Sequence, residues 1–382
     1  MKKHKVLLVG GIRPDWIRYS EIIRLLDKED SIELIICHTG QHYDRALDSI
    51  FFEQLQIREP DLNLEIGKDS KSLGEQLAKL FIGFEKALDQ IIPDLVMFLG
   101  DTNSVLASII STRKNIKTAR IEGAMRSFNR AMPEEKNRIV CDHLADILYV
   151  YLPQYADNAI LEGIPRDRVT ICGNTIVDVI NKWKPYTDTL DVSHITGIDK
   201  CIFATLHREE NIESEETLHS IIRGMRKIAK EESIKILLTQ MPRFKKSIEK
   251  FDVDTTGLTL IEPVGFFESI ALQSKAEMVF TDSGSIQEEA TIIGTKHLCI
   301  RTSTERPECM ECGAGILSGT NRHDIYNSYL RLKNMPDTWD KTVLGDGHSA
   351  EIIVKDLIKR LNQPKIYKPW EDSRKSRAWF TL

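Results

Sequence analysis

No stretch of the 382-residue sequence approaches the roughly 18 consecutive apolar residues that a membrane-spanning helix needs. Cysteine is sparse and scattered: Cys37, Cys141, Cys172, Cys201, Cys299, Cys309 and Cys312. An odd number of cysteines, mostly inside apolar runs, argues against a disulfide framework and for reduced core thiols. Cys309 and Cys312 form the one closely spaced pair, and no second pair or suitably placed histidines accompany it to make a zinc site. Excess positive charge is also missing. The 52 Lys and Arg against 57 Asp and Glu leave a net charge of −5, which excludes a broad cationic surface for nucleic acid or anionic membrane. There is no nicotinamide fingerprint, no P-loop, no GxSxG elbow, no internal repeat and no low-complexity segment. The basic start, Lys2 to Lys5, is followed by an apolar run, Val6 to Val9, too short for a secretory signal. A cytoplasmic location is therefore expected.

What is present is an alternation. Apolar strand patterns at Lys5–Val9, Glu33–His38, Asp94–Leu99, Ala119–Glu122, Ile147–Val150 and Val169–Cys172 make a first set. A second set runs Cys201–Thr205, Lys235–Leu238, Leu258–Ile261, Met278–Thr281 and His297–Ile300. Helical spacing, as at Trp16–Leu26, separates them, and this pattern builds parallel sheets from right-handed βαβ units. The length suits two domains. The boundary is placed near Gly173 to Lys184, giving an α/β chain of two Rossmann-like domains, 1–173 and 174–364. The tail 365–382 carries Trp370, Trp379 and Phe380 and is expected to pack back on the first domain.

Ligands of parallel α/β sheets collect at the carboxyl ends of the strands. Gly10-Gly11-Ile12-Arg13-Pro14-Asp15 follows the first strand, where Arg13 is a candidate for a phosphate contact, although a plain strand-to-helix turn reads the same way. Asp101 follows Gly100 and serves either chemistry or helix capping. Glu122 ends an apolar strand, so it has to be paired, solvated or functional. Glu134 and Glu135 follow Pro133 at a helix start, where acidic residues are ordinary. In the second half, His207 and Arg208 end a strand and suit proton transfer and charge neutralisation. Thr281-Asp282-Ser283-Gly284 leads into a helix whose free N–H groups suit a pyrophosphate. Glu289 lies further along that helix, placed for a ribose diol, and Arg301 and Arg306 add cations. Phe266 and Phe267 either flank a base or belong to the core.

Nine blocks in order then resemble the non-hydrolysing UDP-N-acetylglucosamine 2-epimerases over positions 5 to 362: 11–15, Gln41-His42, 100–102, Glu122 with Arg126, 133–138, 173–175, 207–209, 281–289 and 305–308. The resemblance implies a GT-B fold with an interdomain active-site cleft and UDP held mainly by the C-terminal domain. It implies inversion at C2 of a UDP-2-acetamido sugar with no nicotinamide or metal cofactor, through loss of the C2 proton and of UDP to a glycal-like intermediate, then re-addition. By position it assigns Asp101, Glu122, Glu134 and His207 as acid/base groups. Arg13, His207, Ser283, Gly284 and Arg306 would hold phosphates, Glu289 the ribose, and Arg18 replaces a lysine of the substrate site. Gln41 and His42 match part of the activator site of bacterial members. The resemblance also implies a homodimer with a UDP-sugar as its partner and a role in cell-envelope polysaccharide synthesis. The sequence departs from the family at Ile12, Asp15, Arg18 and Glu122-Gly123-Ala124. Its loop before Pro133 is short and looks like that of relatives acting on 2,3-diacetamido uronates or 6-deoxy amino sugars. A modified substrate, a hydrolysing 2-epimerase, a GT-B glycosyltransferase and an inactive UDP-sugar-binding regulator are the other readings.

Overall fold

The structure, a computed structural model, describes residues 3–40, 52–197 and 200–363. The chain divides into two compact units, one of Met1–Val179 with the chain from Gly345 onward, the other of Ile180–Leu344.

The first unit is built on a parallel sheet in the order β3-β2-β1-β4-β5-β6-β7. Its strands are β1 His4–Gly10, β2 Ile32–His38, β3 Leu62–Asn63, β4 Leu95–Leu99, β5 Lys117–Ile121, β6 Ile147–Val150 and β7 Val169–Ile171. β1 and β4 are apolar and fully buried over most of their length, as strands covered on both faces must be. The order reverses between them, with Val6 beside Leu95 and Val9 beside Phe98. Two crossovers leave this point in opposite directions and open a crevice at the strand ends. Gly10 is required here because a Cβ would lie 2.8 Å from the ring of the buried Trp16. That ring packs on His38 and Phe52 with centroids 5.3 and 5.5 Å away.

The second unit carries a parallel sheet in the order β10-β9-β8-β11-β12-β13. Its strands are β8 Cys201–Thr205, β9 Lys235–Thr239, β10 Thr259–Ile261, β11 Met278–Thr281, β12 His297–Cys299 and β13 Gly315–Leu317. Its switch point lies between β8 and β11, where Thr205 stands beside Thr281 and their hydroxyls are 2.9 Å apart. A core cluster of this unit joins Ile202, Ala204, Ile236, Leu238 and Phe280 to the helix Glu215–Glu231 through Leu218, Ile221, Ile222, Met225 and Ile228.

Two features differ from the sequence expectation. β3 and β13 were not expected: two- and three-residue edge strands carry too little apolar pattern to be seen. The units also divide at 179/180 and 344/345 instead of 173/174 and 364/365. The helix Ser349–Leu361 belongs to the first unit because Asp178 accepts from Ser349 N and Ala350 N at 3.2 and 2.8 Å, capping its start. The tail 365–382 lies outside the described residues. Among the described residues, no helix is long and apolar enough to cross a membrane.

Candidate active site

In the first unit the candidate residues sit where the strands leave the sheet at the switch point. β1 runs into a turn in which Gly11 N and Ile12 N both donate to Asp15 Oδ2, at 2.8 and 3.2 Å. Asp15 begins as an ordinary third residue of the helix Arg13–Leu26, yet it is buried. Burial pushes its carboxyl up to about 7. The two N–H bonds oppose that rise, and the nearby charges of Asp101 and Glu122 add to it. Its Oδ1 faces the turn after β4, because a Cβ on Gly100 would lie 2.8 Å from it. Arg13 is exposed at the first helical position.

Asp101 follows that turn. It does not cap the short 3₁₀ segment Asn103–Ala107, whose cap is Thr102. Its carboxylate is paired with Arg138, and its main-chain oxygen accepts from Asn137 Nδ2 at 2.9 Å. Glu122 follows β5, 6% exposed, with a left-handed φ of 66°. Ala124 and Phe128 are left-handed as well, at 55° and 56°. Non-glycine residues in this region cost about 1 kcal/mol or more each, so the surroundings have to hold the loop. Asp142 accepts from Ala124 N at 3.0 Å and from Arg126 Nη1 at 2.7 Å, while Glu162 grips the rest of the Arg126 guanidinium at 2.8 and 2.7 Å. Burial alone would raise Glu162, but His143 and Arg126 bring it down to about 2.

The two acidic residues after Pro133 separate by surroundings. Glu135 is buried and bound to Arg138, Ser127 and Phe128. Glu134 is half-buried in the first turn of the helix Pro133–Leu144. The buried Arg18 guanidinium donates to Asn174 Oδ1 at 3.1 Å and Tyr151 Oη at 3.4 Å. Gln41 and His42 lie outside the described residues.

In the second unit Asp282 is the centre. It follows β11, is 0% exposed, and accepts from His207 N at 3.1 Å, Arg208 N at 3.1 Å and Asn211 Nδ2 at 3.0 Å. His207 Nδ1 lies 3.2 Å from Asp282 Oδ1, and the histidine side chain is 45% exposed. Burial would raise the Asp282 carboxyl, but His207 and these donors hold it below its ordinary value. An anionic partner at Nδ1 fixes the ring and leaves Nε2 for a ligand.

Ser283 starts the helix Gly284–Ile293. A Cβ on Gly284 would lie 2.2 Å from Arg306 Nη1, so any larger residue would displace the guanidinium. This places a guanidinium beside helix N–H groups, an arrangement suited to an anion. Arg306 is also paired with Glu305, and its Nε is 2.7 Å from Glu288. Arg208 and Arg301 meet Glu305 at 3.4 and 2.9 Å. Glu289 is nearly buried and accepts from Gln273 Nε2 at 2.6 Å. Phe267 packs on Trp183, Tyr186 and Phe266 with centroids 4.7, 5.2 and 5.5 Å away, which places it in an aromatic core and Phe266 at its edge. Cys309 and Cys312 are free thiols, and Cys312 Sγ donates to the Cys309 carbonyl at 3.6 Å. Among the described residues no group of three or more His, Cys, Asp or Glu is arranged to hold a metal ion.

Sequence reasoning missed the roles of Asp15, Glu135, Arg138 and Asp282. Glu135 reads as an ordinary first-turn acid, Asp15 stands out only as a departure from the family, and their partners are backbone N–H groups of neighbouring turns. Asp282 did leave a signal, a carboxylate directly after an apolar strand.

Two doubly wound parallel sheets, with a guanidinium beside a helix start in one and clustered carboxylates in the other, give the chain a GT-B-like α/β fold. The profile of the UDP-N-acetylglucosamine 2-epimerase family matches residues 24–358. The UDP-N-acetylglucosamine 2-epimerase of Methanocaldococcus jannaschii is 37% identical, over 92% of this chain and 98% of that protein. Its crystal structure in complex with UDP-GlcNAc and UDP superposes with a TM-score of 0.88, covering 93% of this chain and 99% of the other at 36% identity. The UDP-2,3-diacetamido-2,3-dideoxy-D-glucuronate 2-epimerase of Pseudomonas aeruginosa is 33% identical, over 93% of this chain and 99% of that protein. The chain belongs to the UDP-N-acetylglucosamine 2-epimerase family and is an isomerase.

The Asp15 environment sets a sign for stability. A carboxyl raised in the folded state contributes stability that is fully present below its unfolded value near 4 and is lost as pH rises through about 7. Asp15→Asn keeps an acceptor for Gly11 N and Ile12 N but cannot ionise. The melting temperature of the variant relative to the parent should therefore rise between pH 5 and pH 8, and a constant difference would show that Asp15 is not raised. Asp282→Asn, with its fold checked by circular dichroism, should lower kcat by about 10²-fold through loss of the ring's anionic partner. An unchanged kcat would remove His207 from the proton chemistry.

Proposed function

We propose that this chain inverts C2 of a UDP-2-acetamido sugar, with UDP-N-acetylglucosamine as substrate. A base takes the C2 proton while the C1–O bond to UDP breaks, and the electron pair forms the C1=C2 bond of a glycal. UDP then re-adds at C1 as a proton is delivered to the opposite face of C2. No oxidant or reductant is needed. Two faces of one carbon require two proton-handling groups, and a pyrophosphate leaving group requires cations and oriented N–H donors. The observation that carries the reading is the grouping of Asp101 and Glu122 about buried Asp15, in a chain of this family. Glu134 is proposed as a further acid/base group on the same helix as Arg138, and His207, oriented by Asp282, as a fourth. The Arg306 and Gly284 arrangement supports pyrophosphate binding by the second unit, with Arg13 and Ser283 contributing and Glu289 taking the ribose. Arg18, tied to Asn174 and Tyr151, supports the site by fixing the helix that carries Asp15.

A second reading, a 2,3-diacetamido uronate as substrate, is favoured by the short loop before Pro133 and by the P. aeruginosa relative. The enzyme is further proposed to be a cytoplasmic homodimer that supplies sugars for cell-envelope polysaccharide.

Incubation in D₂O with UDP-GlcNAc, and separately with the diacetamido uronate, tests both substrates. Deuterium should enter C2 of recovered nucleotide sugar together with the C2 epimer and almost no free UDP. Stoichiometric UDP release would mark a hydrolysing enzyme, and no C2 exchange with either sugar would end the epimerase reading. Glu122→Gln should abolish exchange while UDP binding persists.

A further inference from the structure

Arg138 is a buried guanidinium on which two carboxylates of the first unit, Asp101 and Glu135, meet. The Arg138 guanidinium is forked: Nη2 binds Asp101, and Nη1 binds Glu135 Oε2 at 2.7 Å. Both side chains are 2% exposed. Glu135 also receives three bonds from the loop after β5, with Oε1 accepting from Phe128 N at 2.9 Å and Oε2 from Ser127 N and Ser127 Oγ at 3.1 and 3.2 Å. The neighbouring Asn137 donates to the Asp101 main-chain oxygen. One helical segment thus reaches the end of β4, where Asp101 sits, and the middle of the loop that begins at Glu122. Glu134 lies in its first turn. The loop is left-handed at Glu122, Ala124 and Phe128, and Phe128 is held with its side chain 74% exposed. Anchorage of the helix to the sheet does not require this fork, because Asp142 on the same helix already binds Arg120, Arg126 and Ala124 N.

We propose that the Arg138–Glu135 pair is a positioning device that fixes Asp101 and Glu122 relative to each other by joining the end of β4 to the 122–132 loop. The proposal rests on the epimerase reading. Neither residue is assigned contact with the sugar. Arg138 acts through Asp101, and Glu135 acts through Arg138 and the loop backbone.

The charges on Asp101 make the device testable. Asp15 faces it from the helix Arg13–Leu26, Arg120 from within β5, and Arg138, paired in turn with Glu135, from the helix Pro133–Leu144, while Glu122 at the end of β5 acts on the same Asp15 and Arg120. Removing the Glu135 charge takes a competing anion away from Arg138 and favours the ionised form of Asp101. Removing the Arg138 charge disfavours it.

The experiment measures kcat and KM against pH for Glu135→Gln, Arg138→Gln and Arg138→Lys, with UDP binding by calorimetry and folding by circular dichroism. Glu135→Gln should move the acid limb of the kcat profile to lower pH, and Arg138→Gln should move it to higher pH. Arg138→Lys, which keeps the charge and loses the fork, should lower kcat at least tenfold with the limb in place. The affinity for UDP should change less than twofold in all three. Limbs that stay fixed or move the same way, or a full-rate lysine variant, would overturn the proposal. Should Arg138→Gln not fold, Glu135→Gln and Arg138→Lys decide by the same criteria. Failure of the parent enzyme to exchange the C2 proton would instead strike the epimerase reading itself.

Discussion

At four turns among the described residues a buried carboxyl group accepts the N–H groups of two consecutive residues. Asp15 takes Gly11 and Ile12, Glu135 takes Ser127 and Phe128, Asp282 takes His207 and Arg208, and Asp178 takes Ser349 and Ala350. The constraint behind this is general. A parallel strand ends by turning its backbone away from the ladder, and the N–H groups it frees are costly to bury unless something accepts them. A carboxyl group, ionised or neutral, has acceptor capacity to spare and can serve two donors at once. Three of these four turns carry the residues argued to do the chemistry, so the requirement that stabilises the fold also orients the site.

Much of the architecture was legible because buried parallel strands write long apolar runs. β1, β4, β8 and β11 are such runs, and the candidate residues were found by reading the positions just after them. Legibility fell where structure depends on partners remote in sequence. Arg18 could be matched to a site position, but its ties to Tyr151 and Asn174 lie 133 and 156 residues away. The return of helix Ser349–Leu361 to the first unit depends on Asp178, 171 residues before Ser349. Phe267 was ambiguous because an aromatic residue at a helix start reads alike for a ligand and for a core. Only its packing on Trp183 and Tyr186 separates the two.

The second unit treats charge differently from the first. Arg208, Arg301 and Arg306 share Glu305, and Arg306 also meets Glu288. The guanidiniums are therefore held in place by the protein's own carboxylates, and their geometry is set in advance of any ligand. The net charge of −5 is consistent with this: cations are local, counted and paired. In the first unit burial, with the nearby charges of Asp101 and Glu122, raises the proton affinity of Asp15. The first arrangement favours a fixed anion, the second a movable proton.

The left-handed backbone at Glu122 places fitness and robustness in opposition. Glycine or asparagine would occupy a φ of 66° with less strain, so substitution at this position has a stabilising direction that removes the carboxylate. A population drifting under selection for heat resistance alone would be drawn to glycine here. Keeping a glutamate here therefore sets a carboxylate at the strand end against backbone ease, a trade visible in a single dihedral angle.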